Sequence, residues 1–129
     1  QAMILKLSER VIFKDFVSHD RLPLYIKASD IFIRTPLSEG FGNSFVEAMA
    51  AGLPCIATPV GGIVDFIQNN ETGVFAEVRN PQSIKDAVMK LVSDSELYSK
   101  IKRQSFEMVK EKYDWNTVAI EMKNIFKSL

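Results

Sequence analysis

Two short apolar runs, DIFIRT (30–35) and PCIATP (54–59), bracket a small-residue stretch, NSFVEAMAA (43–51). The runs are too short for helices, and their central residues are apolar without alternation. That pattern suits strands covered on both faces. The stretch between them carries helix formers and is ended by Gly52 and Pro54. A strand, a helix and a second strand in that order predict a Rossmann-like α/β architecture, a parallel sheet with flanking helices. RVIFKDF (10–16) and GVFAEV (73–78) read as two further strands, the latter with Val74, Ala76 and Val78 on one side. Asp20 is placed to cap a helix running to about Ser29, with Leu22, Tyr25 and Ala28 on one face and Pro23 in its first turn. GGIVDFIQNN (61–70) reads as a third, short helix.

After residue 79 the pattern becomes helical throughout. Asn80 caps a helix with Pro81 at its first position and Ile84, Ala87, Val88, Leu91 and Val92 as its buried stripe. SELYSKIKRQSFEMVKEKY (95–113) follows, with Leu97, Ile101 and Val109 inward. Asp114 then caps a last helix whose stripe is Trp115, Val118, Ala119, Met122, Ile125, Phe126 and Leu129. So rich a stripe on a terminal helix either packs on this domain or expects a second one. The 129 residues suffice for a single domain, 1–129, with its own core. The opening QAMILKLSE, an apolar half-turn with no cap before it, is expected of a piece of a longer protein.

Sixteen basic residues balance sixteen acidic ones, which disfavours nucleic acid as the main partner. The single cysteine, Cys55, excludes an internal disulfide, sits in an apolar strand and fits a reducing, cytoplasmic compartment. No apolar run approaches the ~20 residues of a membrane helix. Lys100, Lys102, Arg103, Lys110 and Lys112 interleave with acids along the helices and read as a solvated face. His19 stands alone as a turn residue, and no Cys/His/Asp spacing suits zinc.

The chemistry concentrates in SEGFGNSFVEAMAAGLP (38–54). Glu39 falls just beyond the carboxyl end of DIFIRT, the edge of an open parallel sheet where ligands sit. Gly40, Phe41 and Gly42 lead straight into a helix whose first N–H groups suit a phosphate. Glu47, about one turn in, can accept two hydrogen bonds from vicinal hydroxyls such as those of ribose, and Glu39 can meet a second polyol. Each residue also has a plain structural reading. Ser44 and Glu47 form S-x-x-E, a capping box, and Glu39 can be a solvated loop residue. From these residues alone both readings stand.

A run from residue 30 to residue 88 resembles the carboxy-terminal, donor-binding half of the retaining glycosyltransferases of family 4, which have the GT-B fold. The resemblance rests on an ordered set: Glu39 to Glu47 as E-x7-E, then AMAAGLP, IATPVGG and TGVF, with KYDWNTVAIEMKNIF as a closing aromatic helix. It implies a donor nucleoside-diphosphate sugar as substrate and a hexose transferred to a glycan or lipid-linked acceptor, without metal or other cofactor. It further implies that Glu39 contacts the transferred sugar as the catalytic residue and that Glu47 binds the ribose. Gly40, Phe41, Gly42, Asn43 and Ser44 would meet the sugar hydroxyls and diphosphate. Val17 and Ser18 would lie near the base, and Asp65 would be a local cap. The helix at 114–129 would pack toward an amino-terminal domain.

The family's Gly-Arg pair and following Lys, which neutralise the donor diphosphate, have no counterpart upstream of residue 10. The chain by itself is therefore expected to bind donor weakly and not to catalyse transfer. The family's sheet order, 3-2-1-4-5-6, would make RVIFKDF an outer strand without its inner neighbours. A rearranged four-strand sheet, or a homodimer through the open edge or the final helix, is the expected outcome. Peripheral contact with the inner face of a membrane stays open if the acceptor is a lipid. The alternative from another class is a non-catalytic α/β nucleotide-binding or protein-contact module. A phosphorylatable receiver domain is disfavoured because DIFIRT ends without Asp and PCIATP offers no Lys.

Overall fold

The computed structural model describes residues 7 and 9–128. Leu129 and most of the opening apolar half-turn lie outside them. The chain runs α1 (Leu22–Lys27), β1 (Phe32–Arg34), α2 (Asn43–Ala50), β2 (Cys55–Ala57), a 3-10 turn (Gly61–Asp65) and β3 (Val74–Phe75). It continues with α3 (Pro81–Ser93), α4 (Ser95–Lys112) and α5 (Trp115–Ser128). The three strands form a parallel sheet in the order β1-β2-β3, with Phe32 opposite Cys55 and Ile56 opposite Val74.

Alternation along β2 explains the layers. Cys55 and Ala57 face one core, built with Phe45, Met49, Ile63, Phe66 and Ile67, while Ile56 faces a second with Val74, Ala76, Ala87 and Leu91. Helix α4 closes both, contributing Val109 to the first and Ile101 to the second. Its 18 residues span about 27 Å at the α-helical rise, long enough to serve both faces of the sheet. The expected α/β class with a parallel sheet and flanking helices is what the chain adopts, but only β2 is covered on both faces: at the sheet edge β1 leaves Ile33 44% exposed.

The termini of the helices follow local chemistry in most places. Asn80 Oδ1 accepts the Ser83 N–H at 3.1 Å, Asp94 Oδ1 accepts that of Leu97 at 2.8 Å, and Asp114 Oδ1 accepts that of Asn116 at 2.9 Å. Asp20 does not cap α1. Arg21 holds the cap position, and the Asp20 carboxylate is instead held below its usual range by a hydrogen bond from Ser18. The inward residue of α1 is Ile26, packed on the first core, rather than the Leu22–Tyr25–Ala28 face. GGIVDFIQNN forms only the 3-10 turn, and Asp65 is exposed at its end without a capping hydrogen bond.

Two apolar segments find no place in either core. Residues 11–16 form no strand, and Phe16 is 92% exposed. A strand exists only when a neighbouring backbone completes its ladder, and no described segment pairs with this one. The expected rearranged four-strand sheet is therefore not formed. On α5, Trp115 is 85% exposed and Ile120, Met122, Ile125 and Phe126 are exposed too. Among the described residues of the stripe only Val118 is half-buried, and the rest does not pack on this domain.

Ile101→Ala should lower the unfolding free energy by about 2–5 kcal/mol, and Trp115→Ala by less than about 0.5 kcal/mol, in urea titrations followed by circular dichroism. Burial pushes the Cys55 thiol well above the ordinary cysteine range, so its modification by a thiol reagent should proceed only at the rate of unfolding.

Candidate functional site

The segment between β1 and α2 is shaped by backbone contact with the loop after β2. Gly62 N–H donates to Gly40 O at 3.0 Å. A Cβ on Gly61 would lie 1.8 Å from Glu39 O, and one on Gly62 would lie 2.3 Å from Gly40 O. Only glycine permits that approach, and Gly61 also sits at a φ of +55°. The Thr58 hydroxyl, fully buried, donates to Pro36 O at 2.5 Å and ties the same two loops one step earlier. The paired glycines of IATPVGG thus hold the Glu39 loop at the carboxyl edge of the sheet.

Glu39 is not a solvated loop residue. Its side chain is 16% exposed, one oxygen is paired with the Arg34 guanidinium, and the other accepts Gly40 N–H at 3.1 Å. Arg34 ends β1 and also lies over the Phe45 ring, 5.9 Å from its centroid. Sequence reasoning did not single out Arg34. The signal was present: a lone cation in an otherwise apolar strand, five residues before a carboxylate.

Gly42 turns the chain into α2 at a φ of +94° and occupies the cap position. Helix α2 therefore starts at Asn43, which puts Ser44 second and Glu47 fifth. The capping box is not formed. The Ser44 hydroxyl is buried without a partner, and the Glu47 carboxylate makes no hydrogen bond or ion pair among the described residues. The backbone N–H groups of Phe41, Gly42, Asn43 and Ser44 likewise have no partner among the described residues. These are the free donors of a helix start.

Glu47 opens on two cavities. One, of about 280 Å³, is shared with His19, Leu22 and Ile26. The other, of about 300 Å³, is shared with Lys110, Tyr113 and Trp115. Phe41 is fixed by a tilted contact with Phe66 and an edge contact with Tyr113, at centroid distances of 5.6 and 5.5 Å. Val17 and Ser18 line a separate hollow of about 210 Å³ with Lys14, Arg21 and Tyr25. Among the described residues no group of three His, Cys, Asp or Glu side chains converges as a metal site would require. The result is a row of backbone donors and one buried hydroxyl, with a braced carboxylate at one end and an unbraced one at the other.

The family described as Glycosyl transferases group 1 matches residues 1–108. An uncharacterised glycosyltransferase of Methanocaldococcus jannaschii is 33% identical over 123 residues, covering 95% of this chain and 32% of that protein. The GDP-mannose-dependent alpha-(1-6)-phosphatidylinositol monomannoside mannosyltransferase of Mycobacterium tuberculosis is 30% identical over 128 residues, covering 94% of this chain and 33% of its own. Among solved structures, the C-terminal domain of a glycosyl transferase group 1 family protein from Francisella tularensis superposes with a TM-score of 0.81. It is 32% identical, over 88% of this chain and 59% of that one. The chain thus spans about a third of the length of the curated relatives it matches.

Gly61→Ala should cost at least about 1–3 kcal/mol from backbone strain alone. It should also displace the Gly40 amide resonance, whereas Gly40→Ala, with no atom within 4 Å of its Cβ, should leave the fold unchanged.

Proposed function

The chain belongs to the group 1 glycosyl transferases, and on that premise we propose that it is the donor-nucleotide-binding part of a retaining glycosyltransferase. In this reading the donor is a nucleoside-diphosphate sugar, and its hexose passes to a glycan or lipid-linked acceptor held by another domain. Glu47 receives the ribose hydroxyls. The diphosphate and sugar hydroxyls lie along the free N–H groups of Phe41, Gly42, Asn43 and Ser44, the Gly40 N–H being held by Glu39. Glu39 faces the transferred sugar. The observation that carries the reading is the failed capping box: Glu47 has no structural partner, and Ser44 keeps a buried hydroxyl unsatisfied. The N–H groups of the helix start stay free as well, and a phosphate accepts hydrogen bonds from such a row. The mannosyltransferase relative is GDP-mannose-dependent by name, which supports a nucleotide sugar as the ligand class.

Transfer in this reading uses no metal. The diphosphate rests on backbone dipoles, each worth ~0.3–1 kcal/mol when exposed, because the cation at this edge, Arg34, is committed to Glu39. The 129 residues alone therefore bind donor weakly and do not turn it over. The exposed stripe of α5 and the likeness to a C-terminal domain support one donor-binding unit over 1–129 whose last helix, 114–129, packs toward an amino-terminal domain. No helix among the described residues is long and apolar enough to cross a membrane, so any membrane contact is peripheral in this reading.

Titration with UDP-, GDP- and ADP-sugars should shift the Gly40 and Gly42 amides with one of them, and Glu47→Ala should weaken that binding about tenfold or more. Absence of a shift with all three would favour a protein-contact module. Release of sugar by the isolated chain would refute the division of labour between domains.

A further inference from the structure

Beyond the donor site, the structure sorts the cations of α4 in a way their spacing did not foretell. Lys100 pairs with Glu71 at 2.7 Å, and its hydrogen bond holds the Glu71 carboxyl below the usual carboxylate range. Lys102 and Arg103 pair with no acid among the described residues. Together with Lys27, from the last turn of α1, they line a cavity of about 440 Å³ at the carboxyl end of α2. Ser99 and Phe106 complete the α4 wall, and Gly52 lies on the opposite wall, where a Cβ would meet Lys102 Cε at 3.4 Å. No carboxylate lines this cavity, and among the described residues none of the three cations has an ion-pair partner. Glu107, one turn beyond Arg103, makes no ion pair with it.

A merely solvated basic face would spread its charges apart. Here three basic residues from two helices line one concavity, and charges of one sign gathered along a concave surface reinforce one another's field. The end of α2 contributes roughly half a negative charge, which offsets only part of one cation. The remaining charge matches a phosphate group, at about −1.5 to −2 near neutral pH. Arg103 supplies a planar fork of donors and Ser99 a hydroxyl, while half-exposed Phe106 offers a face to an apolar or planar neighbour. The volume falls within the range of about 300–1,000 Å³ typical of small-molecule sites. We propose that the cavity bounded by Lys27, Lys102, Arg103 and Phe106 is a second anion site, which binds a phosphate group carried by a small phosphorylated molecule or by a lipid headgroup.

The test uses the chain with inorganic phosphate as the probe, at ionic strength held constant with sodium chloride, following the Gly52 and Ser99 amides by NMR. A parallel arm measures sedimentation with phosphatidylcholine vesicles that do or do not contain phosphatidylglycerol. A saturable phosphate shift, weakened about tenfold in Lys102→Gln/Arg103→Gln and in Lys27→Gln, supports the site and assigns it to a soluble phosphorylated ligand. Recruitment to the phosphatidylglycerol vesicles alone, lost in the same variants, supports it with a lipid headgroup as the source. These side chains are on the surface, so the variants should keep the wild-type circular dichroism spectrum, and Lys27→Gln tests the cavity from a separate helix. A shift that chloride reproduces, that never saturates, or that survives both variants overturns the proposal, as does the absence of any response in both arms.

Discussion

Cys55, Ile56 and Ala57 are buried on both faces of the sheet, and the layers of this chain are arranged around that fact. A strand with no solvent face needs a partner on each edge and a helical layer above and below. β1 and β3 supply the edges in parallel register, α2 covers the side of Cys55 and Ala57, and α3 covers the side of Ile56. Helix α4 reaches both. Parallel pairing then sends the loops after β1 and β2 to the same edge, and the functional segments meet there for that reason.

At that edge the decisive contact is backbone on backbone. Gly61 and Gly62 lie against the carbonyls of Glu39 and Gly40 with no room for a side chain. The loop so held presents Glu39 braced by Arg34 and turns through Gly42 into a helix whose first donors are free. The two glutamates differ sharply in circumstance. Glu39 is mostly buried and ion-paired, while Glu47 stands on the open side of α2 between two cavities.

Much of the architecture was legible in the residues. The apolar run at 54–59 and the stripe of Ile84, Ala87 and Leu91 report burial directly, because their pattern is the imprint of a covered face, and the Asn80-Pro81 cap marks a helix start; the run at 30–35 gives its strand but not its exposure. Other features misled. RVIFKDF carries strand composition, but a ladder needs a second backbone that composition does not supply. Asp20 had the right chemistry to cap a helix and instead bonded Ser18. Ser44 and Glu47 had the spacing of a capping box, yet the left-handed Gly42 moved the helix start and left both unpaired. Arg34 was overlooked because its importance lies in a partner across a loop rather than in a pattern.

The sequence by itself determined the class of fold, the order of its elements and the stretch in which the chemistry lies. Those follow from hydrophobic period, helix-ending glycines and an ordered motif set, all of which are local or additive along the chain. The tertiary structure decided which carboxylate is braced and which is free, which cations are spent on acids and which line one cavity, and which apolar faces stay uncovered. Each of those depends on where backbones tens of residues apart come to rest. At Glu39 and Gly61 the two backbones come so close that no side chain fits between them.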